Sequence, residues 1–242
     1  MHTETEYNQL GQPIGYPLPD WHGCERPPRT PLQGHFCRLE ILDVDRHSAD
    51  LQAAYALDDT HANWTYLPYG PFATLAAFQD WLRASALGDD PLFHAIIDLN
   101  TGKAVGVATL MRIDPANGSI ETGHIHYSPL LQRKPAATEA MYLLMRRVFD
   151  ELGYRRYEWK CNALNAASRQ AALRLGFQFE GIFRQMQVVR GHNRDTAWFS
   201  IIDREWPAIK TALEHWLDPA NFDTHGCQLS SLQTQQIRGP HA

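Results

Sequence analysis

Ser119-Ile-Glu-Thr-Gly-His-Ile-His-Tyr127, followed by Ser128-Pro-Leu-Leu-Gln-Arg-Lys-Pro-Ala-Ala-Thr138, is the stretch on which the reading of this chain turns. The first nine residues read as a strand. The turn after it runs straight into Met141, Leu144, Met145, Val148, Phe149 and Leu152, which repeat at i, i+3, i+4, i+7, i+8 and i+11 like the buried face of a helix closed by Gly153. A strand that enters a helix through small residues exposes backbone N–H groups at the helix N-terminus, and Arg133 and Lys134 add positive charge there. That is the make-up of a phosphate site. A tight connection whose basic residues are only solvated has the same composition, so the loop by itself leaves both readings open.

Working outward, Leu92 to Leu99 and Ala104 to Ile113 are apolar runs separated by Asn100-Thr-Gly-Lys103, which reads as a hairpin turn, and Asp114-Pro-Ala-Asn-Gly118 is a second turn. Three antiparallel strands in a row follow from this. Upstream, Phe36 to Leu42 alternates as a strand, Ser48 to Leu57 has helical spacing, and Thr74 is placed to cap a helix through Leu82. Downstream, the pattern predicts a strand over Tyr154 to Cys161, a helix over Asn165 to Leu175 ended by Gly176, and strands over Phe177 to Val189 and Asp195 to Ile202. Gly191 and Asn193 mark the turn between those two strands, and Glu205 to Leu217 reads as a last helix.

The 242 residues carry a net charge of −5, with 44% hydrophobic and 20% charged side chains, which excludes disordered and collagen-like chains. No apolar run approaches the roughly 20 residues of a membrane span, and the polar, proline-rich start is no signal peptide, so we expect a cytoplasmic protein without a membrane partner. Cys24, Cys37, Cys161 and Cys227 are scattered and read as free thiols. The mildly acidic balance argues against nucleic acid held by bulk charge. We expect a proline-rich arm over 1–33, one α/β domain over 34–218 and a loose polar tail over 219–242, as a monomer or homodimer.

From Leu32 to Leu217 the chain resembles the GNAT superfamily of N-acetyltransferases, in particular the RimJ/RimL-type branch. The motifs are Gln132-Arg-Lys-Pro-Ala-Ala137 followed by Thr138-Glu139-Ala140, then Asn165-Ala-Ala-Ser168 with Leu175-Gly-Phe177, then Asn193-Arg-Asp195. The resemblance implies a GNAT fold: a mixed, mostly antiparallel sheet with a splayed parallel strand pair, flanked by helices. It also implies transfer of acetyl from acetyl-CoA to a primary amine, on a small molecule or a peptide N-terminus, by direct attack in a ternary complex. A non-catalytic acyl-CoA sensor of the same fold is the alternative.

By the same resemblance, acetyl-CoA would be held by Gln132, Arg133, Lys134, Ala136, Ala137 and Thr138 at the diphosphate, by main-chain groups near His126, Tyr127 and Ser128 at the acetyl group, and by Asn165 at the pantetheine arm. Ser168 would protonate the leaving thiolate. Helix capping explains Asn165 and Ser168 equally. One departure is Pro135, where the family loop has its first glycine; proline has no N–H to give but suits a helix first turn.

The general base is left open. The position where relatives of this branch carry a glutamate is Gln187, which cannot accept a proton in that role. Glu121, His124 and His126 are the replacements. On a regular strand Glu121 would face one way and both histidines the other, unless a bulge intervenes. His124 and His126 invite a metal reading, but no third ligand has matching spacing, and none is assigned. The acceptor side is expected from Trp64, Tyr66, Tyr69 and Phe72, which could equally be core, and from Gln187, Arg194 and Asp195, the last two of which could simply pair with each other.

Overall fold

The alternating runs between residues 92 and 127 become the middle of an eight-stranded sheet in a computed structural model of the chain, which describes residues 5–234. In chain order the elements are β1 (Glu6–Tyr7), β2 (Pro13–Ile14), β3 (Leu32–Gln33), β4 (Cys37–Ile41), α1 (Val44–Tyr55), α2 (Leu75–Ser85), β5 (Leu92–Asp98), β6 (Ala104–Asp114) and β7 (Ser119–Tyr127). There follow α3 (Pro135–Arg146), which continues as a π-type turn over Arg147–Glu151, then β8 (Arg156–Asn162), α4 (Ala166–Arg174), β9 (Gln178–Val189), β10 (His192–Ile202) and α5 (Trp206–Leu217). The main sheet has the order β3-β4-β5-β6-β7-β8-β10-β9. Neighbours are antiparallel except β7 and β8, which run parallel. This is the GNAT fold that the motifs implied.

Two apolar layers hold the sheet between helices. Met141, Leu144, Met145 and Val148 of the α3 face pack with Trp206, Ile209 and Leu213 of α5 on one side. Leu51 and Tyr55 of α1 and Phe78 and Leu82 of α2 cover Phe93, Ala95 and Ile97 on the other. Each of the larger aliphatic and aromatic side chains among them, taken out of water, stabilises the fold by about 1.5–3 kcal/mol.

Several boundaries differ from the sequence reading. Helix α1 begins at Val44 and not Ser48, because Asp43 caps it by accepting the Arg46 N–H at 2.9 Å. Strand β10 begins at His192, and the turn sits at Arg190-Gly191, both at positive φ. Leu32 and Gln33, assigned to the arm, form an edge strand against Arg38 and Leu39.

The arm itself is stapled over the β6–β7 turn: the Trp21 indole donates to the Ala116 carbonyl at 2.8 Å, and the Tyr154 hydroxyl to that of Glu25 at 3.0 Å. The tail, expected to be loose, packs back onto the domain as far as Thr234, which is 2% exposed; residues 235–242 lie outside the described residues. Among the described residues no helix is long and apolar enough to cross a membrane.

Candidate active site

Strands β7 and β8 are in register only over Ser119↔Arg156, Ile120↔Tyr157, Glu121↔Glu158 and Thr122↔Trp159. Past Thr122 they diverge, and the β8-facing edge of Gly123 to Tyr127 has no ladder partner among the described residues. The divergence coincides with a bulge. Opposite β6, Thr109 pairs with Gly123 and Val107 with His126, three steps on β7 against two on β6, and His124 sits at φ 46°. The bulge breaks the alternation, so Glu121 and His124, which a regular strand would send to opposite faces, line one cavity of about 590 Å³.

Within that cavity Glu121 is not a free carboxylate. Its Oε2 accepts from Lys160 Nζ at 2.8 Å and lies 3.0 Å from Arg112 Nε. Burial raises its carboxyl above the usual range, with the Lys160 and Arg112 charges pulling the other way. Lys160 is shared with Glu158 at 2.6 Å, and its ammonium lies 3.9 Å from the centre of the Trp198 ring.

His124 is half-buried, stacked on Tyr69, with Nδ1 3.1 Å from the Tyr69 hydroxyl. Burial, helped by Arg112, pushes its pKa down to about 4, so the ring is neutral at pH 7. His126 is placed elsewhere. Its ring stacks on Tyr55 at 3.8 Å and meets the edge of Trp64, and burial pushes it down to about 3. Its side chain belongs to the core under α1, not to the cavity, which removes it as a candidate base. The two histidines therefore do not converge, and no group of three His, Cys, Asp or Glu side chains among the described residues could hold a metal ion.

Across the gap, Ser168 in the first turn of α4 accepts the indole N–H of Trp159 at 2.9 Å, and Asn165 caps that helix by accepting the Ser168 N–H at 3.0 Å. Both residues line the cavity. Cys161, also on its wall, is buried, and burial raises its thiol, which makes it a poor nucleophile.

The aromatic loop divides. Tyr66 reaches the cavity, with its hydroxyl donating to the Leu164 carbonyl at 3.2 Å. Trp64 is 5% exposed, and it packs with Tyr69 and Phe72 in the core beneath α1 and α2; Tyr69 touches the site only through His124. Gln187 and Arg194 face each other across β9 and β10 and line the cavity. Asp195 does not line it: its carboxylate accepts the Gln185 N–H at 2.7 Å and the Asn193 amide at 3.0 Å, holding a second bulge in the hairpin.

A family model described as an acetyltransferase (GNAT) domain matches residues 38–178, more than half of the chain. The chain belongs to the GNAT acetyltransferase family. A solved GCN5-related N-acetyltransferase from Brucella melitensis is 51% identical, covering 91% of this chain and 99% of that one at a TM-score of 0.87. A GNAT-family structure from Chromobacterium violaceum is 41% identical over 81% of this chain and 98% of its own, with a TM-score of 0.75. The uncharacterized N-acetyltransferase p20 of Bacillus licheniformis is 27% identical over 70% of this chain and 95% of its own length.

GNAT enzymes use acetyl-CoA, and the turn before α3 has donors suited to its diphosphate. Leu131, 1% exposed, anchors the turn; the Leu131 and Gln132 N–H groups close on the Ser128 carbonyl, and Arg133 takes a left-handed conformation at φ 60°. Pro135 occupies the first helical position. Ala136 then contributes a first-turn N–H that helix geometry leaves without an intrahelical carbonyl, beside the exposed Arg133 and Lys134. The Ala137 N–H closes on the Lys134 carbonyl at 3.1 Å.

Two expected ligands are spent on structure. Ser128 is fully buried and gives both its N–H and its hydroxyl to the Val105 carbonyl. The Gln132 amide bridges the Tyr127 carbonyl and Asn63, both at 2.8 Å, away from the helix end.

Sequence reasoning missed three residues here. Arg174 donates to the Thr138 hydroxyl at 2.9 Å and brings a third cation to the turn; nothing in its own segment signals this, because the contact is tertiary. Lys160 alternates with Glu158 on β8, so their shared face was readable. Trp159, two residues before Cys161, was readable as sharing the Cys161 face.

Proposed function

We propose that this protein transfers the acetyl group of acetyl-CoA directly to the primary amine of an acceptor bound in the 590 Å³ cavity, within a ternary complex. The observation that carries the reading is the convergence of the unpaired edge of β7, the Ser168 hydroxyl and His124 on that cavity. Acetyl-CoA supplies an activated thioester. The chain's part is to align it along the open β7 edge, whose N–H groups are donors for the thioester carbonyl.

An attacking amine acidifies as its bond to carbon forms, so even a weakly basic imidazole suffices to take its proton. In the tautomer that places the proton on Nδ1, His124 donates to the Tyr69 oxygen and keeps the Nε2 lone pair available. Glu121 has Oε1 in reserve but is tied to Lys160 and Arg112 through Oε2, so we assign the proton to His124. Ser168, with its oxygen already accepting from Trp159, has its own hydrogen to give to the departing thiolate. A place in the RimJ/RimL-type branch rests on Asn165 to Ser168, Leu175-Gly-Phe177 and Asn193-Arg-Asp195, and Gln187 departs from it.

The test is release of free thiol from acetyl-CoA by the purified full chain over a panel of primary amines. Acceptor-dependent release that falls at least about tenfold in His124→Gln is the expected result. Tight CoA binding with no release for any amine would favour an acyl-CoA sensor.

A further inference from the structure

The cavity wall supplied by β10 carries donors for which the described residues provide no acceptor. Arg194, Thr196 and Trp198 alternate along β10, so their side chains share one face, and all three line the cavity. Arg194 Nε, Thr196 Oγ1 and Trp198 Nε1 are each buried without a hydrogen-bond partner among the described residues, and Thr196 as a whole is 4% exposed. Buried donors are nearly always satisfied, and three together on one face of a cavity indicate a ligand that accepts from them.

The charge of the wall says which kind. Arg112, Lys160 and Arg194 line the cavity, and Glu121 is the single carboxylate among its lining residues. Arg112 and Lys160 already hold Glu121, whereas no carboxylate among the described residues pairs with Arg194. A guanidinium without a counter-ion beside a hydroxyl and an indole N–H is a donor set for a carboxylate or phosphate.

We propose that the acceptor is an amine that also bears an anionic group, a carboxylate or a phosphate, seated on Arg194, Thr196 and Trp198. This rests on the acetyl-transfer reading above and adds the substrate class. The anion site lies on β10, separated from the β7–β8 gap by β8, so the amine of the same molecule reaches back toward His124 while its charge is held at a distance.

The experiment compares matched pairs on the full chain: 4-aminobutyrate with butylamine, and 2-aminoethyl phosphate with ethanolamine, scored as kcat/KM for thiol release from acetyl-CoA. At least one anionic member is expected to exceed its neutral partner by about tenfold or more, and the arm that does so identifies carboxylate or phosphate. Arg194→Met is expected to bring that ratio close to one, and Arg194→Lys, which keeps the charge but loses the fork, to retain part of it. Equal or better use of the neutral amines would overturn the proposal, as would a ratio unchanged in Arg194→Met alongside a raised KM for acetyl-CoA, which would give these donors to the cofactor.

Should no amine be acetylated, tryptophan fluorescence titrated with the anionic members separates the two readings. Saturable binding lost in Arg194→Met would keep the anion site and count against acetyl transfer. Absence of saturable binding would sink the anion site itself.

Discussion

The indole N–H of Trp159 donates to the Ser168 hydroxyl at 2.9 Å, which occupies one lone pair and leaves that hydroxyl's own hydrogen to be donated. Ser168 lines the cavity, and the proposed mechanism has it donate that hydrogen to the leaving thiolate. Ser168→Ala should lower kcat by about tenfold to a hundredfold while CoA affinity, measured by calorimetry, changes little. Trp159→Phe keeps the ring and loses the N–H, so it should show a smaller fall of the same kind. A kcat unchanged in Ser168→Ala would remove the serine from the mechanism.

Glu139 on α3 accepts three backbone N–H groups from the β3–β4 connection: His35 at 2.6 Å, and Phe36 and Cys37 each at 2.7 Å. The carboxylate is 3% exposed, so removing it strands three donors, and Glu139→Ala should cost about 2–4 kcal/mol in urea unfolding. Gly34 is coupled to the same site. A Cβ there would lie 2.3 Å from the Glu139 carboxyl carbon, and Gly34→Ala should destabilise through that clash.

His94, His124 and His126 are held neutral by burial, with pKa values pushed down to about 4, 4 and 3. The unfolded chain regains ordinary imidazoles near 6.5, so between that value and the folded ones it binds more protons than the native state. Stability is therefore fully present above about pH 6.5 and is lost on acidification, each histidine contributing up to about 1.4 kcal/mol per pH unit. Urea midpoints at pH 7 and pH 5 measure the slope, and His126→Phe should reduce it even if it also lowers stability at pH 7.

Pro135 stands where a backbone donor could face the diphosphate. Pro135→Ala restores an N–H in a good helix former, and CoA should bind several-fold tighter by calorimetry, in keeping with a hydrogen bond to a charged group. Arg133→Gln and Lys134→Gln should weaken it, with a shallower dependence on salt. Looser binding in Pro135→Ala would mean that the fixed φ of proline matters more than the missing donor.

The three central strands and the α3 face were legible because periodicity and turn residues agree along Leu92 to Leu152. The strand-to-helix turn proposed for the diphosphate was legible because its small and basic residues are local in sequence. What was not legible depends on partners distant in sequence. Nothing in Ser119 to Tyr127 announces that His124 takes a left-handed conformation, yet that one angle decides that Glu121 and His124 share a cavity while His126 turns into the core. Ser128 was expected to offer its main chain and Asp195 its carboxylate, but the Ser128 N–H goes to the Val105 carbonyl and the Asp195 carboxylate accepts the Gln185 N–H. Trp64 and Phe72 were ambiguous by composition; Trp64 is buried beneath α1 and α2, while Phe72 is half-buried beside it and lines a second cavity.

The Thr234 hydroxyl donates to the Arg174 carbonyl at 2.7 Å, and the Arg174 guanidinium in turn holds Thr138 at the start of α3. Two side chains thus connect the C-terminal tail to the turn proposed to hold coenzyme A. Carboxypeptidase nibbling past that threonine would weaken nucleotide retention without touching a single residue of the binding turn, so recombinant batches trimmed to different lengths should differ in how firmly they keep CoA through a desalting column.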